Sequence, residues 1–183
     1  MSSFINHGII DLNCKDLLRI ATQANKSSAG FERNISHYNN NDKYWNKISK
    51  FYKDTGSNYQ FFDHDWASLI PDTFFSVTKL KKEPITVVVN QILPGKLTPP
   101  HVDNYGQIPW KQSIEKKDIA RFWIPLTKPS LGHALFFDDA VLYNLQEGTI
   151  IEICQGQRHS ACNAGDTSRF FMSIIGVREN SST

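Results

Sequence analysis

The chain has 183 residues, of which 40% are hydrophobic and 12% aromatic, and this composition predicts a folded globular protein rather than a disordered one. Its 20 basic and 18 acidic residues give a net charge of only +2, which argues against a nucleic-acid partner or an anionic membrane surface. The three cysteines lack a C-x-x-C spacing, the N-terminus lacks a signal-peptide pattern, and no apolar run approaches about 20 residues. These features predict a cytoplasmic protein that does not span a membrane.

Residues 1–82 are predicted to be a helical N-terminal part of a single domain that covers 1–183. Asp11 is a candidate N-cap for a first helix. The apolar face of that helix is predicted to contain Leu17, Leu18 and Ala21. A second helix is predicted in DKYWNKISKFYKD, where apolar residues recur at three- and four-residue steps. A third follows in PDTFFSVTKLKK, with Pro71 suited to its first turn.

Residues 83–178 are predicted to form the β core of the domain. Short runs rich in β-branched and aromatic residues alternate there with Gly, Pro and Asp. The predicted strands are PITVVVNQIL, IARFWIPL, HALFFDDAV, TIIEIC and SRFFMSIIGV. Several short strands with turn signals at close spacing predict a mainly β fold, a sandwich or jelly roll, with the N-terminal helices packed along one sheet.

The stretch PGKLTPPHVDNYG contains the most informative polar residues of the chain. His101 and Asp103 are two positions apart, so in an extended segment both side chains point the same way and can reach one metal ion. His159, in QGQRHSACNAG at the end of the predicted strand TIIEIC, is the candidate third ligand. Two imidazoles and one carboxylate on one face of an octahedral ion are the ligand set of non-haem Fe(II) oxygenases. The open positions of such an ion can take a bidentate 2-oxo acid and O₂.

Arg169 lies ten residues after His159 and opens the last predicted strand. A guanidinium inside an apolar barrel needs an anion, and its planar fork suits a carboxylate. We predict that Arg169 binds the distal carboxylate of 2-oxoglutarate. Regular alternation places Ser173 on the same face, where its hydroxyl is a second candidate contact.

Each of these residues also has a purely structural interpretation. A lone H-x-D motif is often an ordinary polar loop, and a lone arginine is often a surface ion-pair partner. His133 is the main rival of His159, but no arginine follows it at the expected distance. The joint order of the motif, the second histidine and the arginine favours the metal site.

Parts of the chain resemble a known family. VNQILPGKLTPPH, IARFWIPL and QEGTIIEICQGQRHSACNAGDTSRFFMSIIG follow the pattern of the Fe(II)/2-oxoglutarate-dependent oxygenases, which fold as a cupin-like double-stranded β-helix. Within that superfamily the pattern is most similar to the aspartyl/asparaginyl β-hydroxylase group, over about residues 85–177. The resemblance implies an oxygenase that uses Fe(II), 2-oxoglutarate and O₂.

The resemblance also implies roles for single residues. Asn90, eleven positions before His101, matches a polar residue that helps to bind the co-substrate's distal carboxylate. Arg121 matches an arginine near the co-substrate and substrate, although it is also a candidate ion-pair partner of Asp138 or Asp139. The pattern departs from the membrane-anchored β-hydroxylase at two positions. That enzyme has glycine at the place of Asp103 and a second histidine at the place of Trp123, which is therefore a candidate substrate contact here.

The predicted function is hydroxylation of an unactivated C–H bond in an amino acid, a peptide side chain or a small metabolite. The loop NYGQIPWKQSIEKKD leaves the H-x-D motif directly, and its Tyr105 and Trp110 are candidate substrate contacts. The alternatives are a non-enzymatic ligand-binding module and another metal-dependent enzyme of the cupin type.

Overall fold

The computed structural model describes residues 2–26, 30–34, 57–61, 65–103 and 114–179. Two antiparallel sheets dominate these residues. The larger has the strand order β1-β9-β6-β11-β4-β3-β2, and the smaller has the order β5-β10-β7-β8. The strands are β1 (Phe4–Ile9), β2 (Gly30–Asn34), β3 (Ser57–Phe61), β4 (Leu80–Ile92), β5 (Lys96–His101), β6 (Ile119–Pro125), β7 (His133–Phe137), β8 (Val141–Tyr143), β9 (Thr149–Ile153), β10 (His159–Asn163) and β11 (Arg169–Arg178).

The long strand β11 lies at the centre of the larger sheet, between β4 and β6. Almost every residue of RFFMSIIGVR is buried, because both faces of this strand are covered. Phe170, Met172 and Ile174 face the outer core beneath the helices, whereas Phe171 faces the inner core between the sheets. The alternation therefore places Arg169, Phe171 and Ser173 on the inner face, as the sequence predicted.

The inner core joins the two sheets through apolar side chains from both. The larger sheet contributes Trp123, Ile151 and Phe171, and the smaller contributes Leu135 and Phe137. The sheets therefore lie face to face and enclose an apolar interior. This is the jelly-roll architecture that the strand pattern predicted.

In the described part of the chain, two α-helices cover the outer face of the larger sheet. Helix α1 (Cys14–Lys26) buries Leu17 and Ala21, and helix α2 (Asp72–Thr78) buries Phe74, which contacts Phe122 of β6 edge to face. A short 3₁₀ helix (Trp66–Leu69) precedes α2 and buries Trp66 in the same core. None of the described helices is both long and apolar enough to cross a bilayer.

The predicted boundaries of α1 and α2 need correction. Asp11 does not cap α1: the helix begins at Cys14, and the main-chain N–H of Asp16 donates to the side-chain oxygen of Asn13. Pro71 occupies the N-cap of α2 rather than its first turn, and the helix ends where Lys79 adopts a left-handed conformation. Strand β4 therefore begins at Leu80, three residues before the predicted start of the β core.

The N-terminal part was predicted to be helical but also supplies strands. β1 pairs with β9, and β2 and β3 extend the larger sheet beyond β4. These strands are short and mix polar with apolar residues, so they carry little periodic signal. The predicted helix DKYWNKISKFYKD lies outside the described residues.

Candidate metal and anion site

Two predicted metal ligands lie directly opposite each other across a pair of strands. His101 is the last residue of β5 and His159 is the first residue of β10, and the antiparallel register pairs them. Their ring centroids are 4.5 Å apart. His159 therefore does not end the strand TIIEIC, as the sequence suggested, but opens the next strand after a turn. This pairing follows from strand register, which no local pattern in the sequence specifies.

Asp103 completes the cluster from the segment that follows β5. Its Oδ1 lies 3.6 Å from Nε2 of His101, and its Oδ2 lies 3.6 Å from Nε2 of His159. The three candidate ligand atoms all lie within 4.8 Å of one another. Neighbouring ligands of an octahedral ion with bonds of about 2.1 Å are about 3 Å apart, so a small inward movement would complete the coordination. The cluster could therefore hold a divalent metal ion.

The main chain orients both imidazoles in the same way. Nδ1 of His101 lies 2.7 Å from the carbonyl oxygen of Pro99, and Nδ1 of His159 lies 3.1 Å from that of Gln157. A carbonyl oxygen only accepts, so each Nδ1 carries the proton and donates it. Each Nε2 is then left with its lone pair directed at the cluster, which is the tautomer that a metal ion requires.

Burial keeps the His159 imidazole neutral. The side chain is 5% exposed, and desolvation, with the nearby His101 and Arg121, holds the pKa of His159 well below its ordinary value. A neutral imidazole is the form that binds a metal ion.

Arg121 forms an ion pair with Asp103. Arg121 is on β6 and its side chain is 16% exposed, so this pair lies in the partly enclosed mouth of the metal cluster. Of the two acids predicted as alternative partners, Asp138 pairs with Arg158. Arg121 is therefore close enough to orient one of the candidate metal ligands.

Arg169 lies inside the barrel, deeper than the metal cluster. It is 3% exposed, and its Nη1 donates to the carbonyl oxygens of Ala134 and Cys162 at 2.7 Å each. Its guanidinium packs over the indole of Trp123, 4.7 Å from the ring centroid. Desolvation lowers the pKa of Arg169 to about 10, and no carboxylate of the described residues forms an ion pair with it.

Trp123 lines the same interior and has an unsatisfied donor. The side chain is 2% exposed and stacks on Phe171, yet its indole Nε1–H has no hydrogen-bond acceptor. Buried donors are rarely left without an acceptor, so this N–H is suited to a ligand that enters the barrel.

Asn90 and Ser173, the other predicted co-substrate contacts, lie together on the inner face of β4 and β11. Nδ2 of Asn90 lies 3.4 Å from the Ser173 hydroxyl oxygen, and Oδ1 of Asn90 accepts from Gln60 on β3 at 2.8 Å. Gln60 was not predicted as a site residue because β3 was not predicted as a strand. The alternation in SNYQF was the only local signal for that strand. Tyr105 and Trp110, the predicted substrate contacts, lie outside the described residues.

No protein-family model and no curated protein sequence matches this chain. Solved structures do. A prolyl-4-hydroxylase from Pseudomonas putida superposes with a TM-score of 0.59 over 96% of this chain and 91% of its own, at 10% identity. The chain folds as a double-stranded β-helix. A predicted oxalate decarboxylase from Thermotoga maritima matches with a TM-score of 0.41 at 13% identity, over 67% of this chain and 82% of its own. A cupin domain from Bordetella pertussis matches with a TM-score of 0.37 at 18% identity, over 55% of this chain and 88% of its own.

At these identities the likeness concerns the double-stranded β-helix alone. The likeness to the prolyl-4-hydroxylase confirms the predicted fold class. In this chain the pairing of β5 with β10 in the smaller sheet brings His101 and His159 together, and side chains of β6 and β11 turn inward from the larger sheet. Function has to be argued from the site itself.

Proposed function

We propose that the protein is an Fe(II)- and 2-oxoglutarate-dependent oxygenase that hydroxylates an unactivated C–H bond. The observation that carries this proposal is the combination of the His101, Asp103 and His159 cluster with a buried arginine in the same barrel. Either feature alone is also compatible with a purely structural role. Together they offer a chelating metal and a carboxylate-binding group to one ligand.

The ligand set supports iron over the other common metals. Two imidazoles and one carboxylate leave three positions of an octahedral ion open, which suits Fe(II) and a bidentate co-substrate. None of the free cysteines belongs to the described metal cluster, which disfavours a thiolate-rich zinc site.

The distance along β10 fits a short dicarboxylate. Nη1 of Arg169 contacts the carbonyl oxygen of Cys162, which is three residues from His159 on the same strand. Three residues of an extended strand span about 10 Å. A five-carbon dicarboxylate that chelates the metal through its 2-oxo acid group reaches across such a gap. 2-Oxoglutarate therefore matches both ends of the site.

The protein's own groups would then have separable roles. His101, Asp103 and His159 hold the metal, Arg121 orients Asp103, and Arg169 binds the far carboxylate. The Trp123 indole N–H donates to the bound co-substrate, and the apolar walls at Phe137 and Phe171 exclude water from it. When bound, Fe(II) and 2-oxoglutarate supply the activation of O₂ that breaks the C–H bond of the substrate. The substrate class is an amino acid, a peptide side chain or another small metabolite.

The ion pair between Arg121 and Asp103 favours a second candidate function. If Asp103 stays with Arg121, two histidines alone would bind a metal weakly. The barrel would then be a carboxylate-binding module without oxygenase activity, or a metal enzyme that uses other ligands.

The decisive experiment has a binding arm and a turnover arm. Anaerobic addition of Fe(II) and 2-oxoglutarate should give the weak visible charge-transfer band of the chelate, and exposure to O₂ should release succinate. His159→Ala should abolish metal binding, the charge-transfer band and the release of succinate. His7→Gln is a matched control on β1, outside the site, and should retain all three. Metal binding without a band or succinate in the native chain would favour the alternatives and overturn the oxygenase proposal.

A further inference from the structure

A small cleft opens beside Arg169, at the end of the barrel away from the metal cluster. Its polar lining residues are Thr127, His133, Asn144 and Arg169. His133 opens β7 on the inner face of the smaller sheet and is 8% exposed. The metal cluster does not use it. His133 on β7 lies opposite Asn163 on β10, whereas Phe137 on β7 lies opposite the candidate ligand His159. His133 is therefore four residues, or roughly 13 Å, along β7 from the position opposite His159.

One nitrogen of His133 is buried without a hydrogen bond. Nε2 has no partner. Desolvation, with the charge of Arg169, lowers the pKa of His133, although the nearby main chain of Thr167 and side chain of Asn163 favour the protonated ring. Nε2 is thus a buried nitrogen without a hydrogen bond, beside a buried cation.

Among the residues that the structure describes, no acidic group balances these two side chains. The charged and titratable groups near His133 are Arg169 on β11 and, beyond the guanidinium, the thiol of Cys162 on β10. The cleft residues from β6 to β7 and after β8, Thr127 and Asn144, carry no charge. No acid of the described residues pairs with either His133 or Arg169. A site with two groups able to carry positive charge and no acid is suited to an anion.

We propose that His133 is a second contact for the distal carboxylate that Arg169 holds, and that it binds this carboxylate as an imidazolium, so that 2-oxoglutarate binding takes up a proton. The inference rests on the proposed function, because it assumes the same co-substrate. It adds a ligand-binding residue on β7 and a pH dependence that the metal cluster does not require.

The direction of the pH dependence follows from the ring's charge. Near pH 7 the ring of the free protein is neutral, and a bound carboxylate stabilises its protonated form. The affinity for 2-oxoglutarate should therefore rise as the pH falls from 8 to 6. The affinity should stop rising only at a pH where His133 is already protonated in the protein without 2-oxoglutarate.

Calorimetric titration of the Mn(II)-loaded protein with 2-oxoglutarate at pH 6, 7 and 8 tests this. His133→Gln should bind roughly 10-fold more weakly than wild type at pH 6 and approach it at pH 8. Titrations in buffers of different ionisation enthalpy should report that wild type takes up about half a proton more than His133→Gln, because a 10-fold change over two pH units corresponds to that uptake. Pyruvate, which chelates the metal but lacks the distal carboxylate, should bind wild type and His133→Gln alike at every pH.

The outcomes separate the inference from the proposed function. If wild type binds no 2-oxoglutarate, the proposed function fails. If wild type binds it and Arg169→Met does not, while His133→Gln retains the wild-type affinity and pH profile, only the inference is wrong. Should His133→Gln fail to fold, the ring of His133 can be titrated by NMR in the wild-type protein. Added 2-oxoglutarate should raise its pKa, and an unchanged pKa in the complex overturns the inference.

Discussion

Arg169 carries a buried charge that the described part of the fold balances only with neutral carbonyl groups. Burial of a guanidinium lowers stability unless hydrogen bonds and an anion compensate. The two carbonyl oxygens and the face of Trp123 provide part of that compensation. An anionic ligand would supply the remainder, and this is the role that the proposed function gives to Arg169.

Arg169→Met tests this explanation. The methionine removes the desolvation penalty together with two hydrogen bonds, so the free energy of unfolding of the ligand-free protein should stay within about 1 kcal/mol of wild type in urea denaturation. Binding of 2-oxoglutarate should weaken by about 100-fold or more in calorimetry. Arg19→Met on the exposed face of α1 is the matched control and should change neither quantity. A loss of stability above about 3 kcal/mol would indicate that Arg169 is structural.

The turn before β7 and the turn before β11 pack directly against each other, which fixes the elements that carry His133 and Arg169. The main-chain N–H of Ala164 donates to the carbonyl oxygen of Gly132 at 2.9 Å. Gly132 has φ +89, and a Cβ at this residue would lie 2.5 Å from the main-chain atoms of Ala164 and Gly165. The close approach of two backbones therefore requires glycine at this position.

Gly132→Ala should consequently destabilise the fold by roughly 3 kcal/mol, because conformational strain adds to a clash between main chains. The control is Gly95→Ala, since Gly95 has φ +73 but no atom within 4 Å of the place where the new methyl group would lie. That variant should lose only about 1 kcal/mol from the conformation alone. Equal losses in urea denaturation would show that the contact between the two turns contributes nothing.

At the scale of the molecule, the proposed ligands connect the two sheets. His101 and His159 lie on the smaller sheet, whereas Arg121 and Arg169 lie on the larger one. A metal ion with its co-substrate would therefore bridge both layers, and would bind the folded state but not the unfolded chain.

Because this ligand would contact both sheets, its binding should raise the free energy of unfolding of the whole domain. With Mn(II) present and 2-oxoglutarate at 100 times its dissociation constant, the free energy of unfolding should rise by about 2.7 kcal/mol beyond the effect of the metal. Denaturation curves with and without ligand measure this gain, and a chelator should remove it. His159→Ala should show no gain, and a gain equal to that of wild type would place the binding site elsewhere.

The sequence predicted much of the β core because its strands are buried. The runs around β4, β6, β9 and β11 are rich in β-branched and aromatic residues, and that pattern is local. The strands β1, β2 and β3 escaped prediction because FINHGI, GFERN and SNYQF mix polar and apolar residues and contain no such apolar run. The N-cap of α1 was assigned two residues too early, an error of the size expected at helix ends.

The order of residues along the chain was enough to predict the candidate polar residues: an H-x-D pair, a later histidine, and an arginine that opens an apolar strand. It also predicted the inner face of β11, since alternation follows from strand geometry. The folded arrangement was needed to show that His159 faces His101, that Arg121 pairs with Asp103, and that His133 lies beside Arg169 instead of in the metal cluster. These contacts depend on which strands pair and in which register, and that choice is made by burial across the whole barrel rather than by any short stretch of sequence.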